Sequence, residues 1–113
     1  MKYTSESLLK SSEQEWENVA PGIQRKITGY NDHMMMVLVE FEEGGVGDPH
    51  SHFHTQSTYI ESGSFEVTIA GKTELLKQGD CFFVRPNAIH GVVCTAAGVL
   101  VDVFSPIRED FML

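Results

Sequence analysis

Short apolar and alternating segments, separated by turn residues, run along most of the chain. Residues 65–69 alternate strictly between apolar and polar, and residues 34–41 form an almost continuous apolar run. A period of two is typical of strands with one buried face, and a short apolar run between turns is typical of a buried strand. Because many such segments follow one another without a long helical pattern, the sequence predicts an all-β barrel or jelly roll.

Turn residues divide the rest of the chain in the same way. Further strands are predicted at residues 23–27, 57–60, 75–76, 81–84, 91–95 and 99–104, and turns or loops at residues 44–49, 61–64, 70–72, 77–80, 85–87 and 96–98. Residues 1–20 are polar around Trp16 and are predicted to form a short helix or an arm. A length of 113 residues suffices for one core, so we expect a single domain over residues 1–113 with its core at about 22–107.

The composition is that of a globular protein with an excess of acidic residues. Hydrophobic residues make up 42% of the chain, the formal net charge is −8 and the pI is near 4.9. This charge argues against nucleic acid or an anionic membrane as a partner, because both require clustered Lys and Arg. We expect neither a membrane-spanning segment nor a secretory signal, and therefore a cytoplasmic location. Cys81 and Cys94 lie in apolar runs and are predicted to be buried free thiols.

Histidines concentrate in one segment of the chain. His50 and His52 are separated by one residue, His54 follows, and His90 comes after a predicted strand. If the first two occupy an extended strand, both imidazoles project from the same face. Neutral imidazole is the commonest metal ligand, so these side chains predict a site for a divalent metal ion. Gln56 is the predicted fourth ligand, and His54 is either an alternative ligand or an outer imidazole.

Two groups of residues resemble the signatures of the cupin superfamily. The first comprises Gly44, His50, His52, Gln56 and Gly63, and the second comprises Gly79, Asp80, Pro86 and His90. The resemblance implies a single cupin jelly-roll β-barrel in which His50, His52, Gln56 and His90 hold zinc, nickel, iron or manganese. Gln56 stands where many cupins have Glu, and an amide oxygen adds no negative charge. A bound ion would therefore keep its full charge toward an anionic substrate.

Residues outside these signatures resemble one particular group of cupins. Residues 16–17, 22–26, 34–36, 63–67, 90–93 and above all 102–111 are similar to the small cupins of uronate catabolism, the KdgF type of pectin and alginate degradation. This resemblance implies an enzyme that opens the ring of 4,5-unsaturated monouronates, and hence a small anionic sugar acid as its partner. It also implies that Asp102, Phe104 and Arg108 belong to the reactive site.

The surroundings of Asp102 carry a signal of their own. Apolar residues flank Asp102 in the sequence, and an ionised carboxylate is costly in apolar surroundings. Alternation puts Asp102 and Phe104 on one face, so the acid is predicted to face the barrel lumen and to transfer protons there. The alternative for Asp102 is a structural bond to the backbone or to Arg108. The alternative for Arg108 is a surface cation or a salt bridge between subunits.

Two other functions stay open from the sequence. Three imidazoles with open coordination positions also suit an iron-dependent cupin dioxygenase, and the fold suits a non-catalytic, metal-bearing module that binds a sugar acid. We expect a homodimer, because the Trp16 arm and the methionines at 34–36 offer apolar surface to a second copy.

Overall fold

The computed structural model describes residues 1–113, and nearly all of its regular structure is β. The strands are β1 Glu17–Ala20, β2 Ile23–Asn31, β3 Met34–Phe41, β4 Val46–His50, β5 Thr55–Ile69, β6 Lys72–Lys77, β7 Cys81–Val84 and β8 His90–Ser105. Short 3₁₀ helices occupy Ser11–Glu13 and Glu109–Met112. None of the helices has the length and apolar character needed to cross a bilayer.

Two long antiparallel strands, β5 and β8, hold the sheet together. They pair with each other from Thr55 opposite Ser105 to Ile69 opposite His90. The other edge of β8 pairs with β4 near its beginning and with β3 near its end. The other edge of β5 pairs with β7 near its beginning and with β6 near its end. The strands therefore fall into two groups, β1-β2-β3-β8-β5-β7 and β4-β8-β5-β6, and β5 and β8 run through both.

The inner faces of the two groups share one hydrophobic core. Phe41 and Ile60 of the first group pack in one cluster with Phe65 and Val67 of the second. The rings of Phe41 and Phe65 meet edge to face, with their centroids 5.2 Å apart. A smaller cluster nearer the C-terminus consists of Met35, Val37, Phe104 and Ile107. The predicted all-β jelly roll is confirmed.

Two predicted turns are wrong, because the chain continues through them as strand. Residues 61–64 lie inside β5 and residues 96–98 lie inside β8, where the pairing of the two strands is irregular. A Cβ atom on Gly98 would collide with the backbone of Ser62 and Gly63, and Gly63 itself has a φ of +78°. These glycines therefore allow a bulge in which two backbones approach closely, instead of a reversal of the chain.

The segment predicted as a break at residues 44–49 is partly a strand. Residues 46–49 belong to β4, which pairs only with β8. Because β4 is therefore an edge strand, it tolerates Pro49, which has no N–H group to donate. His50 is the last residue of β4, and the chain leaves the strand conformation before His52. The prediction that one extended strand aligns these two imidazoles is therefore wrong.

The first twenty residues form an arm that ends in β1. Trp16 is half-buried, and the Nζ atom of Lys26 lies 4.6 Å from the centroid of its ring. The same ammonium group donates to the carbonyl oxygen and the hydroxyl of Ser11, at 3.3 and 3.2 Å. Lys26 thus fixes the arm against β2 through a cation–π contact and two hydrogen bonds.

Both cysteines are free thiols, as predicted. Cys94 is buried in the core, whereas Cys81 is exposed. The prediction of a buried Cys81 is wrong, because in β7 the buried side chains are those of Phe82 and Val84 and the alternate positions face outward.

Candidate active site

A cavity of about 300 Å³ lies between the two groups of strands. Its lining includes six of the predicted site residues, namely His50, Gln56, His90, Asp102, Phe104 and Arg108. The seventh, His52, meets the wall of this cavity at Gln56, with its Nε2 atom 2.9 Å from the amide Oε1. The fold therefore brings residues from β4, β5, β8 and the C-terminal segment to one place.

The three predicted histidine ligands form a compact cluster. The candidate ligand atoms of His50, His52 and His90 all lie within 4.8 Å of one another. Ring centroids are 4.3 Å apart for His50 and His90, and 4.8 Å apart for His52 and His90. A cluster of this size is compatible with three nitrogen ligands around one ion.

Backbone carbonyl groups fix the tautomer of all three rings. Each ring bonds through Nδ1 to the carbonyl oxygen of a residue two positions away. The partners are Asp48 for His50 at 3.0 Å, His54 for His52 at 3.2 Å and Ala88 for His90 at 2.9 Å. Because a carbonyl oxygen only accepts hydrogen bonds, Nδ1 must carry the proton and Nε2 keeps its lone pair. Such outer partners are what orients histidine ligands in metal sites.

The position of Gln56 completes a set of converging lone pairs. Its Nε2 atom donates to the hydroxyl of Thr58 at 3.0 Å, which turns the amide Oε1 toward His52. The lone pairs of Oε1 and of the His52 Nε2 then face each other at 2.9 Å. Two ligands at right angles and about 2.1 Å from one cation are about 3 Å apart, so the spacing fits neighbouring ligands. The Nε2 of His90 is buried and has no hydrogen-bond partner in the protein. These four residues fit a divalent metal ion.

The protonation state of the histidines agrees with this interpretation. Burial is the largest cause that lowers the pKa of His52 and of His90 below the ordinary value of 6.5. Neutral imidazole is therefore the main form of both side chains at pH 7, and it is the form that binds metal ions.

Asp102 faces the cavity from the C-terminal part of β8. Its Oδ1 accepts a hydrogen bond from the Thr58 hydroxyl at 2.6 Å, and the amide of Gln56 lies 3.5 Å away. Burial raises the pKa of Asp102 from 3.8 to about 6, although the bond from Thr58 and the charge of Arg108 lower it. The carboxyl group can therefore change its protonation state close to neutral pH.

Arg108 closes one side of the cavity together with two aromatic rings. Its guanidinium carbon lies 5.0 Å from the ring centroid of Phe104 and 4.3 Å from that of Phe111. Two of its nitrogens, Nε and Nη2, donate to the carboxylate of Asp110 at 3.1 and 2.9 Å. The side chain is only 12% exposed, so it belongs to the cavity and is not an open surface cation.

His54 does not join the cluster of histidine ligands. It is buried, and its Nε2 donates to the carbonyl oxygen of Ile107 at 3.1 Å. This bond holds the C-terminal segment in the position that brings Arg108 to the cavity. Of the two interpretations from the sequence, the outer imidazole agrees with the geometry, but the side chain does not face solvent.

The cupin domain family matches residues 37–104, which is more than half of the chain. This protein belongs to the cupin family. The pectin degradation protein KdgF of Dickeya dadantii (strain 3937) is 48% identical to this cupin over 99 residues, which cover 86% of this chain and 90% of the relative.

Two solved structures agree with this cupin over nearly all of its length. An RmlC-like cupin from Shewanella frigidimarina NCIMB 400 superposes with a TM-score of 0.93 at 40% identity, covering 96% of this chain and 97% of the other. KdgF from Halomonas sp. superposes with a TM-score of 0.90 at 40% identity, covering 96% and 100%. The resemblance of this cupin to the KdgF type is confirmed.

Two residues of the candidate site escaped the sequence analysis. Thr58, which bonds Asp102, could not be found because the pair depends on the register of β5 and β8. Arg25 lines the cavity, and here a signal was present. It shares the period of two with Ile23 and Ile27, which places a charged side chain on the apolar face of β2.

Proposed function

We propose that this cupin opens the ring of 4,5-unsaturated monouronates with the help of a divalent metal ion. One observation carries the proposal above all: the carboxyl group of Asp102 lies in the same cavity as the converging ligands. The similarity to pectin degradation proteins supports a sugar acid as the substrate.

The reaction is an isomerisation, so it needs neither an oxidant nor a second substrate. The hemiacetal hydroxyl at carbon 1 gives up its proton, the bond from this carbon to the ring oxygen breaks, and an aldehyde forms. The electron pair goes to the ring oxygen, which takes up a proton and becomes the hydroxyl of an enol beside the carboxylate. A proton then adds to carbon 4, the enol oxygen loses its proton, and the linear keto acid results.

Each of the predicted site residues has a role in this scheme. Asp102 accepts and returns the protons, because its carboxyl group lies in the cavity beside the converging ligands. Arg108 binds the carboxylate, and Phe104 packs against the sugar ring. His50, His52, Gln56 and His90 would hold the metal ion, which supplies Lewis acidity toward carboxylate or enolate oxygens. We propose that the metal ion is zinc, nickel, iron or manganese.

The proposal is tested with the purified protein and the unsaturated monouronate. We expect the ultraviolet absorbance of the unsaturated acid to decay faster than in buffer, and NMR to show the open-chain keto acid. Oxygen consumption with iron, without the keto acid, would indicate a dioxygenase instead. Tight binding of the acid without turnover would indicate a binding module. Full activity of Asp102→Asn at unchanged metal content would overturn the role of Asp102 alone.

We also propose that a second copy of the chain covers the outer face of the first strand group. Side chains opposite to the cavity line up across four strands in two rows: Met36, Val103, Ser57 and Phe83, and Leu38, Val101, Tyr59 and Cys81. Several are exposed apolar side chains, which is unusual on a chain with a net charge of −8. A face of this kind can meet its own copy about a two-fold axis.

Light scattering after gel filtration tests this homodimer. We expect Met36→Lys to yield monomers, whereas Leu75→Lys, which changes an exposed apolar residue on β6, should leave the dimer intact. A monomeric wild-type protein at micromolar concentration would contradict the proposal. The cytoplasmic location and the lack of nucleic-acid or membrane partners stay predictions from the composition.

A further inference from the structure

Arg25 stands on the inner face of β2, where its neighbours are apolar. Ile23 and Ile27 flank it at the same period, and Val39 lies opposite it on β3. Its side chain is 20% exposed and lines the same cavity as Asp102 and the histidine cluster. A guanidinium in such a position is costly unless it has anionic or hydrogen-bonding partners.

Only one of the three nitrogens of this guanidinium has a hydrogen-bond partner in the protein. Its Nε atom donates to the carboxylate of Glu17, the residue opposite on β1, at 2.6 Å. Its guanidinium carbon lies 3.8 Å from the ring centroid of Phe111. The two terminal nitrogens, Nη1 and Nη2, make no hydrogen bond to the protein. These nitrogens are therefore free to donate together to a planar carboxylate.

Arg108 has more hydrogen bonds to the protein than Arg25 has. Asp110 already accepts from its Nε and from one N–H of Nη2, which leaves Nη1 and the second N–H of Nη2 for a ligand. Both guanidinium groups lie over the ring of Phe111, at 3.8 Å for Arg25 and 4.3 Å for Arg108. Two cations held close to one ring repel each other, and an anion bound beside both relieves that repulsion.

We propose that Arg25 is a specificity residue that binds the carboxylate of the substrate end-on through Nη1 and Nη2. Arg108 contributes its charge and its remaining N–H groups to the same carboxylate. The inference rests on the proposed function for the identity of the substrate as a uronate. It adds that selection of an acid over a neutral sugar depends on β2, outside both groups of signature residues.

The test compares two substrates and three variants. The substrates are the unsaturated monouronate and its methyl ester, which has the same ring but no charge. Arg25→Met keeps an unbranched apolar side chain and removes the charge. Arg25→Lys keeps the charge but removes the pair of terminal nitrogens that can bind a carboxylate together. Arg85→Met is the matched control, because Arg85 is exposed, lies outside the cavity lining and changes the net charge equally.

We expect Arg25→Met to raise KM for the acid by about 10- to 100-fold, the range for charged hydrogen bonds, with kcat changed by less than about threefold. For the ester, the same variant should change KM by less than about threefold, because no charged contact is lost. Arg25→Lys should recover part of the affinity for the acid. Arg85→Met should match the wild type on both substrates.

Calorimetric binding of the acid and the ester makes the result independent of turnover. If the wild type binds the acid through Arg25 but does not convert it, the proposed function fails and the inference stands. If the wild type converts the acid and Arg25→Met has no effect specific to the acid, the inference fails and the function stands. An equal loss for acid and ester in a folded Arg25→Met would assign Arg25 a purely structural role and overturn the inference.

Discussion

The Asp102→Asn variant should make the metal-free protein more stable at neutral pH. Burial raises the pKa of Asp102 from 3.8 to about 6 in the folded state. The unfolded chain loses this proton near pH ~3.9, so the unfolded state binds fewer protons between these two pH values. Ionisation then favours unfolding, and Asp102 lowers the free energy of unfolding as the pH rises from about 4 to above 6.

The size of the effect follows from the gap between the two pKa values. A gap from 3.8 to about 6 converts to about 3 kcal/mol, at about 1.4 kcal/mol for each pKa unit. Asp102 is half-buried and faces a cavity that water can enter, so we expect about 1–3 kcal/mol. Asn can still accept the hydrogen bond from Thr58, so the substitution removes the ionisation with little loss of contact.

Urea unfolding of both proteins after chelation, from pH ~4 to pH ~8, measures this difference. We expect Asp102→Asn and the wild type to have similar stability near pH ~4, and the variant to gain until the difference levels off above pH ~7. His52 and His90 are present in both proteins, so their contributions to the pH dependence of unfolding largely cancel in the difference between variant and wild type.

A difference that stays constant over this pH range would refute the reasoning, since it would show that Asp102 has an ordinary pKa. A variant less stable than the wild type at pH ~7 would refute it as well, because removal of a buried ionisable group would then have cost stability. The same variant should lose most of its activity with the metal bound. A more stable but less active protein would connect the raised pKa with function.

Three further changes test other parts of the structure. Thr58→Val removes the donor that holds the pKa of Asp102 down, so the midpoint of the pH-dependent loss of stability should move to higher pH; an unchanged midpoint would count against this bond. His90→Ala should weaken zinc or nickel binding in calorimetry by about 100-fold or more, and equal affinity would exclude His90 as a ligand. Gly63→Ala should lower the free energy of unfolding by more than about 2 kcal/mol, because its Cβ would meet two backbone carbonyls. The control Gly71→Ala has a φ of +84° and open space around the Cβ, so it should lower the free energy of unfolding by only about 1 kcal/mol.

Local signals in the sequence predicted those elements that depend on neighbouring residues. The strand at residues 34–41 was predicted to the residue, because an apolar run bounded by turn residues has few other solutions. The bulges near Gly63 and Gly98 were predicted as turns, because glycine is typical of both. Only the contact between β5 and β8, which are far apart in sequence, decides between a bulge and a turn.

The same limit applies to the candidate site. The residue types and their match to the cupin signatures predicted the cluster of His50, His52 and His90, although the single strand expected to align His50 and His52 is absent. The orientation of Gln56 depends on Thr58, and the raised pKa of Asp102 depends on how the strands enclose it. These features come from long-range register, which composition and periodicity do not contain.

The electrostatics of the site are compatible with the proposed selection of an acid by an acidic protein. A net charge of −8 repels an anion at a distance, but this repulsion between exposed charges is screened beyond about 8 Å at physiological salt. Inside the cavity, the proposed contacts of Arg25 and Arg108 with a carboxylate would form in largely apolar surroundings, where charged hydrogen bonds are stronger than in water. The histidines and Gln56 add no negative charge near them. In this proposal, selection depends on short contacts within the cavity, and the surrounding surface mainly slows the approach of the anion.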